Sequence, residues 1–245
     1  MKKALSILAI MFVTFALFAA AGTTVKIGGA YDNFKTTIPK GGDFYDHKVF
    51  TTGDGFGVEG DVQYDMPQNT TFFIDFNIVF FQDAKIQRDL PGAPQVSVKD
   101  FYGPFSAYEK NQFFFNFFSY LFGVAKRFDV NNFKFYVGGG FAFDRLWLKS
   151  TATEGLEFGT SKVEYTVVDK TIGITAYLEA KVMLSKVFGI SLTAKPQVGI
   201  YNKHTTNETV TYTSASAQKY VTKKLVKDFA ISHAMPVSVT LAFSF

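Results

Sequence analysis

The chain contains no cysteine. That excludes disulfide staples and thiolate metal centres, and it removes the lipid-attachment cysteine that follows some leader segments. Arginine is almost as scarce. Only Arg88, Arg127 and Arg145 stand among the 25 basic residues, so bidentate arginine recognition of phosphate is no general theme and nothing points to nucleic acid. The formal net charge is +4, and Lys2 and Lys3 supply two of those charges. Beyond the first residues no apolar run is long enough to form a spanning helix.

One apolar run does exist, at the start. Lys2 and Lys3 precede an apolar stretch from Ala4 to Phe18, which ends in Ala19, Ala20 and Ala21. The charged start, short apolar centre and small-residue end match a secretory leader, so residues 1–21 are read as a signal peptide and 22–245 as one mature unit. A membrane-spanning helix is the competing reading, and the run is short for it.

Phenylalanine is over-used, at 30 residues. It falls into alternating segments near 24–34, 55–65, 70–82, 113–128, 133–147, 171–184, 189–202 and 235–245. In 70–82, Phe72, Ile74, Phe76, Ile78 and Phe80 alternate with Phe73, Asp75, Asn77, Val79 and Phe81. Such a period of two gives a strand with two distinct faces. Each segment has about the 10 residues a tilted strand needs to cross a bilayer.

Connections after the second, fourth and sixth segments are short: Asp65–Asn69, Asp129–Asn132 and Ser185–Phe188. Those after the first, third, fifth and seventh run to about 20–30 residues, long enough to need a reason. Strict alternation puts all four long loops at one end. The fold expected is all-β: a transmembrane antiparallel up-and-down β-barrel of eight strands, with short periplasmic turns and four long extracellular loops. A soluble β-sandwich with its Phe face inward is the alternative.

The chain stops in mid-strand, on Val237, Val239, Leu241, Phe243 and the terminal Phe245. Together with the eight segments, this ending resembles the small eight-stranded outer-membrane barrels, the broad family of OmpA-type barrels, OmpX, OmpW and the opacity proteins. The resemblance implies residence in the bacterial outer membrane and contact with its lipid. It also implies that Val237–Phe245 is the signature read by the outer-membrane assembly machinery. The last strand is expected to close against the first, leaving no edge.

With the Phe face in lipid, the other face lines the lumen. It carries Lys26, Asp32, Glu59, Asp61, Gln63, Asp75, Asn77, Arg127, Lys134, Asp144, Glu179, Lys181, Lys195 and Gln197. Eight strands leave a lumen just wide enough for side chains to fill, where charges must pair or stay hydrated. The expected network is Glu59, Asp61, Asp75, Arg127, Lys134, Glu179, Lys181 and Lys195. The turns are expected to bring Asp61 beside Asp75 and Arg127 opposite Lys134, with the acidic pair facing the basic pair across the lumen. This mixed interior departs from the more apolar channel that OmpW-like kinship implies.

Chemistry is thinly represented. His47, His204 and His233 all lie in or beside the long connections, and Ser232-His233 with Asp228 has no nucleophile motif around it. No metal-ligand spacing stands out, and no cofactor is implied. The run Gly138–Gly140 lies in mid-strand without the Lys and helix of a phosphate loop, and suits curvature or close packing. Lys219, Lys223, Lys224 and Lys227 make the 203–233 stretch locally basic, a candidate contact for anionic surface glycan or a host ligand. The expectation is a non-enzymatic barrel with a largely filled lumen. A narrow pore or OmpW-like conduit is the alternative, and a lipid-modifying enzyme a third reading.

Overall fold

Alternating apolar and small or polar residues commit most of the chain to strands. The computed structural model describes residues 22–38, 49–81, 85–88, 90–97, 110–156, 159–214, 218–228 and 230–245. The leader reading for 1–21 lies outside them. Among the described residues every regular element is a strand: β1 Thr23–Ile38, β2 Val49–Met66, β3 Thr70–Phe81, β4 Lys85–Arg88, β5 Val96–Ser97, β6 Lys110–Val130, β7 Phe133–Leu156, β8 Gly159–Met183, β9 Phe188–Ala194, β10 Gln197–Ser214, β11 Gln218–Asp228, β12 Ala230–Ala234 and β13 Val237–Ser244.

These form a closed antiparallel barrel of eight staves. Six staves are the single strands β1, β2, β3, β6, β7 and β8. The seventh is β9 continued by β10, and the eighth is β11, β12 and β13 in line. Closure is direct: β1 pairs with β2 on one side and with β13 on the other, from Thr24↔Ser244 to Tyr31↔Val237. The final residue completes the seam. Phe245 N donates to Thr23 O at 2.9 Å, and Gly22 N donates to Phe245 O at 2.8 Å. We expect deletion of Phe245 to reduce insertion into the outer membrane far more than Ser244→Ala does, as read by protease protection. Equal effects would deny the terminal residue a special role.

The seventh and eighth staves break side by side at prolines, which cannot donate to a ladder. The breaks fall at Lys195-Pro196 and Met235-Pro236, where Lys195 N donates to Pro236 O at 2.9 Å. Short turns close the other end. Gln68, Asn69 and Asn131 there adopt positive φ of 64°, 56° and 54°. Left-handed backbone suits Asn better than most residues.

The exterior is apolar. Phe56, Phe80, Phe128, Phe133, Phe141, Leu192, Val239 and Phe245 are among the large side chains left exposed on it. A soluble sandwich would bury these and expose the lysines, whereas here Lys26, Lys181 and Lys195 are buried. An apolar outside around a polar inside is the arrangement of a barrel surrounded by lipid.

Two of the stretches expected as long loops are strand for most of their length. β7 and β8 stay paired up to Leu156↔Gly159. Above its break, β10 pairs with β8 as far as Ser214↔Gly159, and with β11 from Lys203↔Asp228 to Thr213↔Gln218. Their Val-, Thr- and Tyr-rich sequence, as in Val163–Thr171 and Thr209–Thr213, favours an extended chain with or without lipid around it. The Lys149–Glu164 ion pair at 3.0 Å ties this extension across strands, and the hydrogen bond from Lys149 holds the Glu164 carboxyl below its ordinary range. In the first long connection, β1 and β2 extend to Ile38↔Val49. In the second, β4 pairs with β2, and β5 with β4.

Candidate functional site: the charged lumen

Lumen-facing side chains fall in tiers. Lys26 on β1, Asp61 on β2 and Asp75 on β3 form one row of cross-strand neighbours, Lys26↔Asp61 and Asp61↔Asp75. Two acids opposite each other would repel in isolation. Here each is met by an ammonium group. Lys26 Nζ lies 2.6 Å from Asp61 Oδ2 and 2.9 Å from Glu179 Oε2, which reaches in from β8 on the far wall. Lys195, at the proline break of the seventh stave, pairs with Asp75 and lies 2.7 Å from Glu59 Oε2. All six side chains are fully buried in these pairs.

Neutral groups complete the network. The Tyr177 hydroxyl accepts from Lys26 at 2.9 Å and from Gln63 at 2.7 Å. Its own proton goes to Glu179 Oε2 at 2.5 Å, with Asp61 Oδ2 at 3.0 Å as the second acceptor. Lys181 Nζ donates to Gln63 Oε1 at 3.0 Å and sits 4.7 Å above the Tyr136 ring. Ser238 Oγ donates to Glu59 Oε1 at 2.8 Å. Toward the extended end, Ser119 Oγ donates to Asp144 at 2.7 Å and accepts from Gln197 Nε2 at 3.3 Å, and Asp32 accepts from Met235 N at 3.0 Å.

An apolar plug lies against this network. Phe73 stacks on Tyr177 with ring centroids 4.1 Å apart, and Leu121, Ala125, Tyr136 and Ala142 pack around them. Glycine makes the room. A Cβ on Gly123 would stand 2.8 Å from Phe73 Cζ, and one on Gly140, its cross-strand partner, 2.1 Å from Phe122 O. Gly123 thus lets the inward Phe73 ring pack closely against the wall, while Gly138 and Gly140 let β7 approach the backbone of β6.

Glu59, Asp61, Asp75, Glu179, Lys181 and Lys195 converge in the lumen, but Arg127 and Lys134 do not join them. Arg127 is the cross-strand partner of Tyr136, while Lys134 is the partner of Asp129 on one side and Lys181 on the other. Arg127 stays at the turn end, paired with Asp65 and lying 3.2 Å from Asp129. Counting residues from the turn at 129–132 places the two bases one register step wrong: the hairpin pairs Val130↔Phe133, so Lys134 lies opposite Asp129. Asp65, nearer the rim than Asp61, then captures the arginine. Because this pair is partly exposed, Arg127→Met is expected to cost only about 0.5–1 kcal/mol in reversible unfolding from detergent. A loss of several kcal/mol would place Arg127 inside the network after all.

The alternation puts Lys26 and Gln63 on the lumen face but gives them no part in the network, and Tyr177, which shares the lumen face of β8 with Glu179, carries no charge to single it out. The signal was there for Lys26, which becomes adjacent to Asp61 once the first two strands are paired antiparallel. Of the terminal signature, Val239, Leu241, Phe243 and Phe245 point outward from the seam. Lys219, Lys223, Lys224 and Lys227 lie on β11, opposite Tyr212, Glu208, Asn207 and His204 of β10. Ser232 and His233 lie on β12, and His47 falls outside the described residues.

No family model and no curated protein matches the chain. Among solved structures, it is similar to Neisserial surface protein A, at 10% identity over 92% of this chain and 98% of that one, with a TM-score of 0.47. The outer membrane protein OprG from Pseudomonas aeruginosa gives 11% identity over 92% and 96%, with a TM-score of 0.46. The outer membrane protease OmpT from Escherichia coli gives 9% over 91% and 96%, with a TM-score of 0.45. The eight-stranded closure itself rests on the strand pairing described above.

Proposed function

We propose that this chain is an integral barrel of the bacterial outer membrane, non-enzymatic and closed to solutes. Its lumen acts as a structural strut, and its work is done at the envelope and at the strand extension beyond the membrane. The observation that carries this reading is the occupied lumen. The ion pairs of Lys26 and Lys195 and the Phe73–Tyr177 stack fill the space a pore would need.

On this reading the exterior binds outer-membrane lipid, Val237–Phe245 engages the assembly machinery, and β11 with its four lysines offers a contact to anionic surface glycan or a host ligand. The short turns face the periplasm and the strand extension faces outward. Single cysteines at Gln95 and Thr160, both exposed, should therefore react with an impermeant maleimide on intact cells, and cysteines at Pro67 and Asn131 should not. Reaction at the turn positions would reverse the orientation. Liposomes carrying the purified barrel should not swell in small sugars. Swelling would favour the conduit reading.

A further inference from the structure

We propose that the lumen holds one monovalent metal cation of the sodium class, bound by Oδ1 of Asp61 and Oδ1 of Asp75, which the lysines leave free, with Glu59 adjoining and the Asn77 side-chain amide on the same wall. The three carboxylates each offer an oxygen within 4.8 Å of the others. Lys26, Tyr177 and Lys195 engage Oδ2 of Asp61 and Asp75, while Oδ1 of both has no hydrogen-bond partner.

Asn77 is the independent sign of a missing ligand. It is fully buried, and neither its Oδ1 nor its Nδ2 has a partner. It is the cross-strand neighbour of Glu59 and lies two residues along β3 from Asp75, so it shares their wall. Thr193 Oγ1 is also buried without a partner, and its own cross-strand neighbour Ser238 donates to Glu59. Buried polar groups seldom go unsatisfied.

Charge selects the ligand. The central network has four carboxylates (Glu59, Asp61, Asp75 and Glu179) against three ammonium groups (Lys26, Lys181 and Lys195), an excess of one negative charge. One monovalent cation balances it, whereas a divalent ion would leave a buried positive charge. Carboxylate and amide oxygens are hard donors suited to alkali and alkaline-earth ions, and no thiolate or imidazole competes among them. The inference rests on the closed-lumen reading, since in an open channel the same carboxylates would simply be hydrated.

The test compares purified barrel in detergent micelles in sodium chloride and in N-methylglucamine chloride, at one pH and one ionic strength. The melting temperature should climb with each tenfold rise in sodium and stay flat in the organic cation. The sodium-23 resonance should broaden with the wild type. Asp75→Asn removes the excess charge but leaves Lys195 paired with Glu59, so it should fold and lose both responses. Asn77→Leu, which alters no charge, should shift the melting response to higher sodium. Equal melting in the two salts, with no broadening, would mean that water or a shared proton fills the place, and would overturn the site. Stronger stabilisation by calcium than by sodium would overturn the monovalent assignment. A conducting barrel would declare itself in bilayers independently of these results.

Discussion

Lys195→Met is expected to lower unfolding stability by about 3–5 kcal/mol, the cost of stranding buried charge when one partner of a dry ion pair is removed. Lys195 serves two carboxylates at once, Glu59 and Asp75, and all three side chains are fully buried. Methionine keeps most of the volume, so the loss is electrostatic rather than a packing defect. Adding Asp75→Asn to Lys195→Met should recover part of the loss, because one stranded charge disappears with it. Lys26→Met should behave alike, with Asp61 and Glu179 as the stranded pair. Denaturant unfolding in detergent or lipid measures these differences. A cost of about 0–1 kcal/mol, as at a surface, would show the lumen to be wet.

Phe73→Ala is the second large change, expected to cost about 3–5 kcal/mol as a buried aromatic truncated without relaxation of its surroundings. The surroundings here are the barrel wall. Gly123 stands directly against the ring and Tyr177 stacks on it, and neither can move inward without breaking strand pairing or the contacts of the Tyr177 hydroxyl. The same substitution should bring intermittent ion leak to a silent barrel, since it removes the apolar half of the plug. A stable, still-silent Phe73→Ala protein would mean that the charge pairs alone close the lumen.

The two faces of the strands were legible in the sequence because alternation is a local property. A period of two assigns Phe72, Ile74 and Phe76 to one side and Phe73, Asp75 and Asn77 to the other whatever the fold around them. Closure was legible from the strand count and from the alternating apolar residues Val237, Val239, Leu241 and Phe243. The meeting of charges across the lumen was not. It depends on how far successive strands are staggered around the barrel, a quantity no single hairpin reveals. Lys195 finds Asp75 across 120 positions of sequence, and Lys26 finds Glu179 across 153. Counting from one turn, by contrast, set Arg127 against Lys134, although the actual register gives each a different neighbour. Strand ends were misjudged for a different reason. Bilayer thickness limits how much of a strand touches lipid, but it does not stop Val163–Thr171 or Thr205–Thr213 from pairing beyond it.

Single-channel recording in planar bilayers tests the closed lumen most directly. The account predicts that the purified wild-type barrel, inserted and folded, gives no regular conductance steps in molar potassium chloride. Regular, ion-selective steps from the wild-type protein would contradict it, because on the proposed reading Lys26, Asp61, Glu179 and the Phe73–Tyr177 stack close the lumen.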